Sequence, residues 1–210
     1  MNTPKDARQY APATQRNREA ILEILLQVLP ASGTILEVAS GTGEHSVFFA
    51  PHLAPRKWLP SDQNPQLRAS ITAWAEECSA DNLYLPRELD ASMPVWPVEK
   101  DASLDSPIVA IVNINMIHIS PWSACLGLMA GAGRILPPGG ILYLYGPYKQ
   151  GGEHTAPSNA SFDQSLQAQN PEWGVRNLED VIAAANNQKL QLQATYQMPA
   201  NNLSVVFKRS

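Results

Sequence analysis

Stretches with the pattern of β-strands alternate with stretches with the pattern of α-helices along the chain. Strands are predicted at residues 34–39, 56–60, 83–89, 107–114, 141–145, 190–197 and 203–208, and helices at residues 18–29, 45–53, 65–79, 122–136 and 178–188. The run at 107–114 is almost continuously apolar, as expected for a central strand that is covered on both faces. This alternation predicts an α/β fold with a mainly parallel sheet and helices on both faces.

The pattern changes towards the C-terminal end. The last two predicted strands follow each other without a helix between them, so we expect them to form an antiparallel hairpin. Because the sequence has no internal repeat and no long linker, it predicts a single domain over residues 1–210. Within that domain we expect an N-terminal segment and helix at about 1–30 and an irregular substrate loop at about 151–176.

Composition limits the classes of function. The net charge is −4, from 15 Lys and Arg against 19 Asp and Glu. Proteins that bind nucleic acid by neutralising phosphates are normally basic, so nucleic acid is not an expected partner. The four histidines lack the spacing of a metal site, and no metal is predicted. The polar N-terminus and the short apolar run at 108–119 indicate a soluble, cytoplasmic protein without a signal peptide or membrane span.

Cys78 and Cys125 lie far apart and outside any CxxC pattern. Two free thiols in a reducing compartment are the simplest interpretation, although one disulfide is compatible with the sequence. The sequence leaves open whether the thiols have a role. It also leaves open the oligomeric state, a homo-oligomer included.

The clearest signal of a ligand site follows the first predicted strand, where Ser40-Gly41-Thr42-Gly43 leads into a helix. Two glycines allow a tight turn and let a ligand approach the backbone. The helix start then offers free N–H groups and a positive dipole end to a carboxylate or phosphate. A dinucleotide site would have a third glycine where Ser46 stands. Taken alone, this pair of glycines is equally compatible with a plain strand-to-helix turn.

An acid, Glu37, precedes the glycines in the same strand, and this combination resembles motif I of the class I S-adenosylmethionine (SAM)-dependent methyltransferases. The resemblance implies that Glu37 orients the loop and the amino group of the cofactor's methionine part. It further implies that Asp62, after the second strand, binds the ribose hydroxyls, and that Asp90, after the third, lies near the adenine with the N–H of Ala91. The cofactor-binding residues expected on this basis are Glu37, Ala39, Gly41, Thr42, Gly43, Asp62, Asp90, Ala91 and Asn113.

Longer segments resemble the methyltransferase-like 26 family, a group with a domain of unknown function. They are YAPATQRNR at 10–18, LEVASGTGEH at 36–45, PSDQNP at 60–65, NINMIHISPW at 113–122 and LYGPYK at 144–149. The resemblance implies a seven-stranded, Rossmann-like SAM-methyltransferase sheet in which the sixth and seventh strands form the hairpin. It also implies SAM as cofactor, with S-adenosylhomocysteine (SAH) as product. It does not supply a substrate.

The end of the fourth predicted strand faces the methyl group in this fold and supplies two of the three catalytic candidates, while the third follows the fifth predicted strand. His118 is the preferred general base because its unperturbed pKa lies near neutrality. Asn115 and Tyr148 are the other candidates. Asn113 and Asn115 have an alternative role, which is to cap backbone groups at the strand end, and His118 has the alternative of a packing residue.

Five residues are expected on the substrate side of the pocket. They are Tyr10, Arg16 and Asn17 before the first predicted helix, and Glu153 and His154 at the start of the predicted loop. For Arg16 and for the loop, a surface position is the alternative. We therefore expect a SAM-dependent methyltransferase that acts on a small molecule, with the acceptor atom undetermined. A non-catalytic SAM-fold protein that acts through a partner and, less favoured, an NAD-dependent oxidoreductase stay open.

Overall fold

The computed structural model describes residues 6–210. The helices are α1 (Pro12–Val28), α2 (Glu44–His52), α3 (Pro65–Glu76), α4 (Trp122–Ile135), α5 (Pro157–Gln169) and α6 (Leu178–Asn186). The strands are β1 (Thr34–Val38), β2 (Lys57–Asp62), β3 (Arg87–Glu88), β4 (Ile108–Ile114), β5 (Ile141–Gly146), β6 (Tyr148–Gln150), β7 (Glu153–His154), β8 (Arg176–Asn177), β9 (Leu190–Met198) and β10 (Asn202–Arg209). Short 3₁₀ turns lie at Pro97–Lys100, Met116–His118 and Pro199–Asn201.

Seven strands form one sheet in the order β3-β2-β1-β4-β5-β10-β9. The five strands from β1 to β5 run parallel, and β10 is antiparallel to both β5 and β9. The predicted fold class is confirmed, including the hairpin at the C-terminal end. Because the strand order reverses between β1 and β4, the carboxyl ends of these two strands are the place where an open α/β sheet binds ligands.

Apolar side chains cover both faces of this sheet because successive residues of a strand point to opposite sides. In β1, Leu36 belongs to the core that lies against α4 and α6, whereas Ile35 belongs to the core against α1 and α2. On the second face, α1 is anchored by Ile21 and Leu25, which are fully buried. The start of α1 is thereby held near the carboxyl end of the sheet.

The third strand is much shorter than predicted. Of the stretch 83–89, only Arg87–Glu88 pairs with β2 as a strand, and Leu83 makes an isolated bridge to Trp58. Pro86 stands between them, and a proline removes the backbone donor that a continuous ladder needs. The chain nevertheless reaches the same edge of the sheet, so Asp90 still follows a strand end.

The predicted irregular loop at 151–176 contains regular structure. It includes α5, and β6, β7 and β8 form a separate three-stranded sheet in the order β7-β6-β8. The expectation of an unstructured excursion is therefore wrong. The first helix also begins earlier than predicted, at Pro12, because a proline at the first helical position lacks only an N–H that has no intrahelical partner. Residues 1–5 of the predicted N-terminal segment lie outside the described residues.

Cys78 is half-buried and Cys125 is buried, and both are free thiols, as the simplest interpretation of the sequence predicts. Across residues 6–210, no helix has both the length and the apolar character that crossing a bilayer requires. The same described residues bring no three His, Cys, Asp or Glu side chains together in the way that a metal ion needs.

Candidate functional site

A cavity of about 550 Å³ lies over the carboxyl ends of β1, β2 and β4. Its volume falls within the usual range of small-molecule sites, about 300–1,000 Å³. Most of the residues predicted to bind a cofactor line it: Glu37, Ala39, Gly41, Thr42, Asp62, Asp90 and Ala91. Two residues of the predicted catalytic and substrate sets, Asn115 and Asn17, line it as well.

The two glycines of the loop after β1 have different tasks. Gly41 has a φ of +59°, and a Cβ built on it would meet no atom within 4 Å, so the space beside this cavity-lining residue is open. Gly43 has a φ of +93°, and its Cβ would lie 2.8 Å from the Cα of Ile71 in α3. Gly43 therefore permits the close approach of α2 and α3, whereas Gly41 leaves space for a ligand.

Glu37 lies in the floor of the cavity and is 1% exposed. Its Oε2 accepts hydrogen bonds from Ser46 Oγ at 2.5 Å and from Trp58 Nε1 at 3.0 Å. Burial raises the pKa of this carboxyl, and the two hydrogen bonds oppose that shift. Glu37 thus connects β1 to α2 and β2 directly below the glycine loop.

Asp62 stands at the end of β2 and is 5% exposed. Its Oδ2 accepts the N–H of Gly41 at 3.0 Å, and its Oδ1 accepts the N–H of Asn64 at 2.9 Å. Burial raises the pKa of this carboxyl, while these two bonds and Arg68 lower it. The carboxylate is fixed against the glycine loop, and each of its oxygens keeps acceptor capacity for a further hydroxyl donor.

Asp90 is half-buried on the cavity wall, and its Oδ1 accepts from the backbone N–H of Ser92 at 2.8 Å and from its hydroxyl at 2.7 Å. The neighbouring Ala91 is 7% exposed. Asp90 therefore stabilises its own turn with one carboxylate oxygen, as a loop residue would. It also lines the part of the cavity wall that the resemblance predicts to bind the adenine.

The start of α2 is less open to an anion than the sequence suggests. Glu44 stands in the first turn of the helix, where a carboxylate offsets the positive end of the helix dipole. Its Oε2 accepts the N–H of Ala11 and, at 3.0 Å, the hydroxyl of Thr42. The helix start consequently carries an acid of its own beside the cavity.

His45 is a cavity residue that the sequence analysis missed. Its Nε2 is 2.9 Å from Asn17 Oδ1 in α1, and its ring stacks on Phe49 with the centroids 5.2 Å apart. Burial, helped by the charge of Arg18, lowers the pKa of His45 to about 4, so the imidazole is neutral at pH 7. Its place in the first helical turn after the glycine loop was the available signal. Other lining residues that were missed are Ala11, Ala13, Thr14, Asn64, Met116, Ile119 and Ser120.

His118 is not a cavity residue. The 3₁₀ turn after Asn115 places Met116 and Ile119 on the cavity wall. It places His118 in the core against α4 and α6, beside Tyr148. His118 is 0% exposed, and neither ring nitrogen has a hydrogen-bond partner in the described chain. Burial, followed by the charge of Arg176, lowers the pKa of His118 to about 3. The prediction of a general base at the cavity is wrong for this residue.

Tyr148 and Asn113 also lie away from the cavity wall. Tyr148 is fully buried edge-to-face against His118, with the ring centroids 5.2 Å apart. Asn113 donates from Nδ2 to the carbonyl of Val38 at 2.9 Å, which is the strand-end capping role that the sequence left as an alternative. Both side chains hold the framework behind the site.

Four residues of the predicted substrate set do not reach the cavity. Tyr10 is 62% exposed and packs against Trp74, while Arg16 is exposed on α1. Glu153 and His154 form β7 of the small sheet, where Nε2 of His154 is 3.1 Å from Asp163 Oδ2. The surface alternative therefore describes Arg16 and Glu153, and Tyr10 is a surface residue as well.

A protein-family model described as "Protein of unknown function (DUF938)" matches residues 8–209. Among solved structures, the chain is similar to an O-methyltransferase family 2 protein from Planctomyces limnophilus in complex with apigenin (19% identity, TM-score 0.76, covering 94% of this chain and 58% of that one). It is also similar to CalO1, a methyltransferase of calicheamicin biosynthesis with SAH bound (14% identity, TM-score 0.70, covering 91% of this chain and 54% of that one). A third similar structure is the mitomycin 7-O-methyltransferase MmcR (10% identity, TM-score 0.75, covering 94% of this chain and 54% of that one).

These similarities establish the fold of the SAM-dependent methyltransferases for this chain. The chain spans little more than half the length of each of the three structures.

Proposed function

This chain belongs to the DUF938 family, and we propose that it is a methyltransferase that carries a methyl group from SAM to a small-molecule acceptor. The observation that carries the proposal is the pairing of Asp62 with Gly41. The buried carboxylate of Asp62 accepts the N–H of Gly41, and no atom lies within 4 Å of where a Cβ of Gly41 would be. A ligand with adjacent hydroxyl groups fits such a place, because the carboxylate offers two acceptor oxygens.

The donor set along the cavity fits the other parts of SAM. Asp62 would hold the ribose, and the wall at Asp90 and Ala91 would hold the adenine. The backbone of Ala39 to Thr42, above Glu37, would hold the methionine part. When bound, SAM supplies a methyl group on a positively charged sulfur, and the acids of this wall suit that charge.

The acceptor side is then the wall built by α1 and the end of β4. Asn17 and Asn115 offer amide groups there, and His45 offers a neutral imidazole held by Asn17. Transfer from a sulfonium needs mainly alignment of the acceptor, and a base only when the acceptor atom carries a proton. In that case His45 is a better candidate than His118, because His45 lines the cavity.

Several finer predictions belong to this proposal. They are the resemblance to the methyltransferase-like 26 family, a single domain over residues 1–210, a cytoplasmic location and a small-molecule acceptor. The similar structures support the last of these only by analogy, since one of them was solved with apigenin. Their identities of 10–19% carry over the fold alone.

Calorimetric titration with SAM, SAH and NADH tests the proposal. We expect wild-type protein to bind SAM and SAH and not NADH. Asp62→Ala should weaken the affinity for SAH by about tenfold or more, because each hydrogen bond to a charged group contributes roughly 1.5–3 kcal/mol. Asp81→Ala, which removes an exposed aspartate elsewhere, is the matched control.

Absence of SAM and SAH binding by the wild-type protein would contradict the proposal, and NADH binding would favour the oxidoreductase. If SAM binds, incubation with methyl-labelled SAM and a metabolite extract follows. Label in a small-molecule product supports the enzyme, whereas binding without any transfer favours the non-catalytic protein.

A further inference from the structure

Residues 6–11 form an extended segment, here named the N-terminal strap, which lies along α3 and ends at the start of α1. At its outer end, Arg8 pairs with Glu77 and lies over the ring of Trp74, with its Cζ 5.2 Å from the ring centroid. In the middle, the carbonyl of Gln9 accepts a hydrogen bond from Trp74 Nε1 at 3.1 Å. At its inner end, Ala11 lines the cavity.

Two buried side chains bind the strap and the glycine loop at once. Ser70 Oγ accepts the N–H of Gln9 at 2.8 Å and donates to the carbonyl of Thr42 at 2.7 Å. Glu44 accepts the N–H of Ala11 and the hydroxyl of Thr42. The carbonyl and the hydroxyl of Thr42, on the lip of the cavity, are therefore held by residues that also hold the strap.

The strap is attached much less firmly than the helix that follows it. Its contacts are polar bonds and the ring of Trp74, and most of its residues are exposed, including Tyr10. By contrast, α1 is anchored in the core by Ile21 and Leu25. Segments with few buried apolar contacts open at low free energy, whereas core elements open only with the whole fold. The strap can thus separate from α3 while α1 stays in place.

We propose that the N-terminal strap is a gate over the cofactor pocket, with Ser70 and Glu44 as positioning residues that couple its closure to the shape of the glycine loop. Ligand entry requires the strap to lift from Thr42, and the bound ligand, by fixing Thr42, favours the closed strap. This inference rests on the proposed function, because it takes SAM or SAH as the ligand.

Hydrogen exchange provides the direct measurement. The amide hydrogens of Gln9 and Ala11 donate from the strap to Ser70 and Glu44, and saturating SAH should slow their exchange by tenfold or more. The amide of Leu25, which lies in the buried part of α1, is the internal control. Unchanged exchange at Gln9 and Ala11 in protein that does bind SAH would overturn the gate.

Ligand kinetics separate a gate from a merely structural segment. Arg8→Ala loosens the outer end of the strap without touching Thr42. It should raise the association and dissociation rate constants of SAH by threefold or more. The dissociation constant, which is the ratio of the two, should stay nearly unchanged. Ser70→Ala removes the tie to both strap and loop, so it should raise the dissociation rate further and weaken affinity. Thr72→Ala, on the same helix, loses only a bond to the carbonyl of Arg68 and should match wild type.

The outcomes are distinct. Wild-type protein that fails to bind SAH would overturn the proposed function, and the gate with it. Normal SAH binding with wild-type rate constants in Arg8→Ala would overturn the gate alone and leave the proposed function standing. The Arg8 variant keeps the test independent of folding, because it changes a partly exposed side chain.

Discussion

His45 and His118 are both buried at the carboxyl end of the sheet, and burial lowers the pKa of both, but their hydrogen bonding and their relation to the cavity differ. His45 borders the cavity and shares a hydrogen bond with Asn17. His118 lies in the core that faces α4 and α6, where neither ring nitrogen has a partner among the described residues. The comparison shows that a polar residue at a strand end becomes a site residue only if the following turn directs it outward.

The turns themselves explain the difference. His45 lies in the first turn of α2, immediately after a glycine loop that opens on the cavity. His118 ends a 3₁₀ turn, in which residues three apart share a face. Met116 and Ile119 take the cavity face, so His118 is placed behind it. The same turn begins with Asn115 at a φ of +65°, which reverses the chain after β4.

The largest expected effect is the acid response of the fully buried histidine, His118. The pKa of His118 is about 3 in the folded chain against about 6.5 unfolded, so between these values the unfolded chain binds the extra proton. Stability therefore falls as the pH drops below 6.5, by about 3 kcal/mol at pH 4 for this residue.

The His118→Leu variant removes this titration and two unpartnered nitrogens. We expect it to unfold at a similar urea concentration to wild type at pH 7 and to be more stable than wild type by about 3 kcal/mol at pH 4. Urea unfolding at both pH values measures this. Equal losses in the two proteins would show that the pKa of His118 is not lowered in the folded chain.

A smaller effect is expected from the hydrogen bond on the cavity side. In a double-mutant cycle of Asn17→Ala and His45→Ala, the coupling free energy should be about 1 kcal/mol, the usual net value of such a bond. Urea unfolding of the two single variants and the double variant gives the coupling. The control is a cycle of His45→Ala with Arg16→Ala. Arg16 is exposed and lies next to Asn17 in α1, so the two changes should be additive.

The smallest effect is expected from Arg16→Ala alone. Because Arg16 is exposed and lies outside the cavity wall, its removal should change stability by less than about 0.5 kcal/mol. The affinity for SAH should also stay within twofold of wild type. A tenfold loss of affinity would restore the sequence-based prediction that Arg16 reaches the ligand.

The sequence was informative where backbone topology determines position. Glycines after β1 and acids after β2 and β3 must meet at one edge of a parallel sheet, and the contact between Gly41 and Asp62 follows from that rule. Side-chain direction within a turn has no such rule, which is why His118 was assigned to the cavity and His45 was overlooked.

Helix α5 was missed for a different reason. Its buried face includes Asn159 and Asp163, which are held by hydrogen bonds and ion pairs to distant residues, such as the bond from Asn159 Nδ2 to the carbonyl of Asn201 at 2.9 Å. Apolar periodicity cannot reveal a helix that packs through polar groups. Partners 40 or so residues away along the chain are visible only in the folded structure.

The empty Cβ direction of Gly41 has an evolutionary consequence. A Cβ at this position on the cavity wall would strike no atom of the framework, so a substitution here can change the wall and leave the packing intact. Asparagine and aspartate tolerate the left-handed backbone found there better than other residues do. Under the proposed function, a relative with asparagine or aspartate at position 41 is expected to fold normally and to bind SAM more weakly.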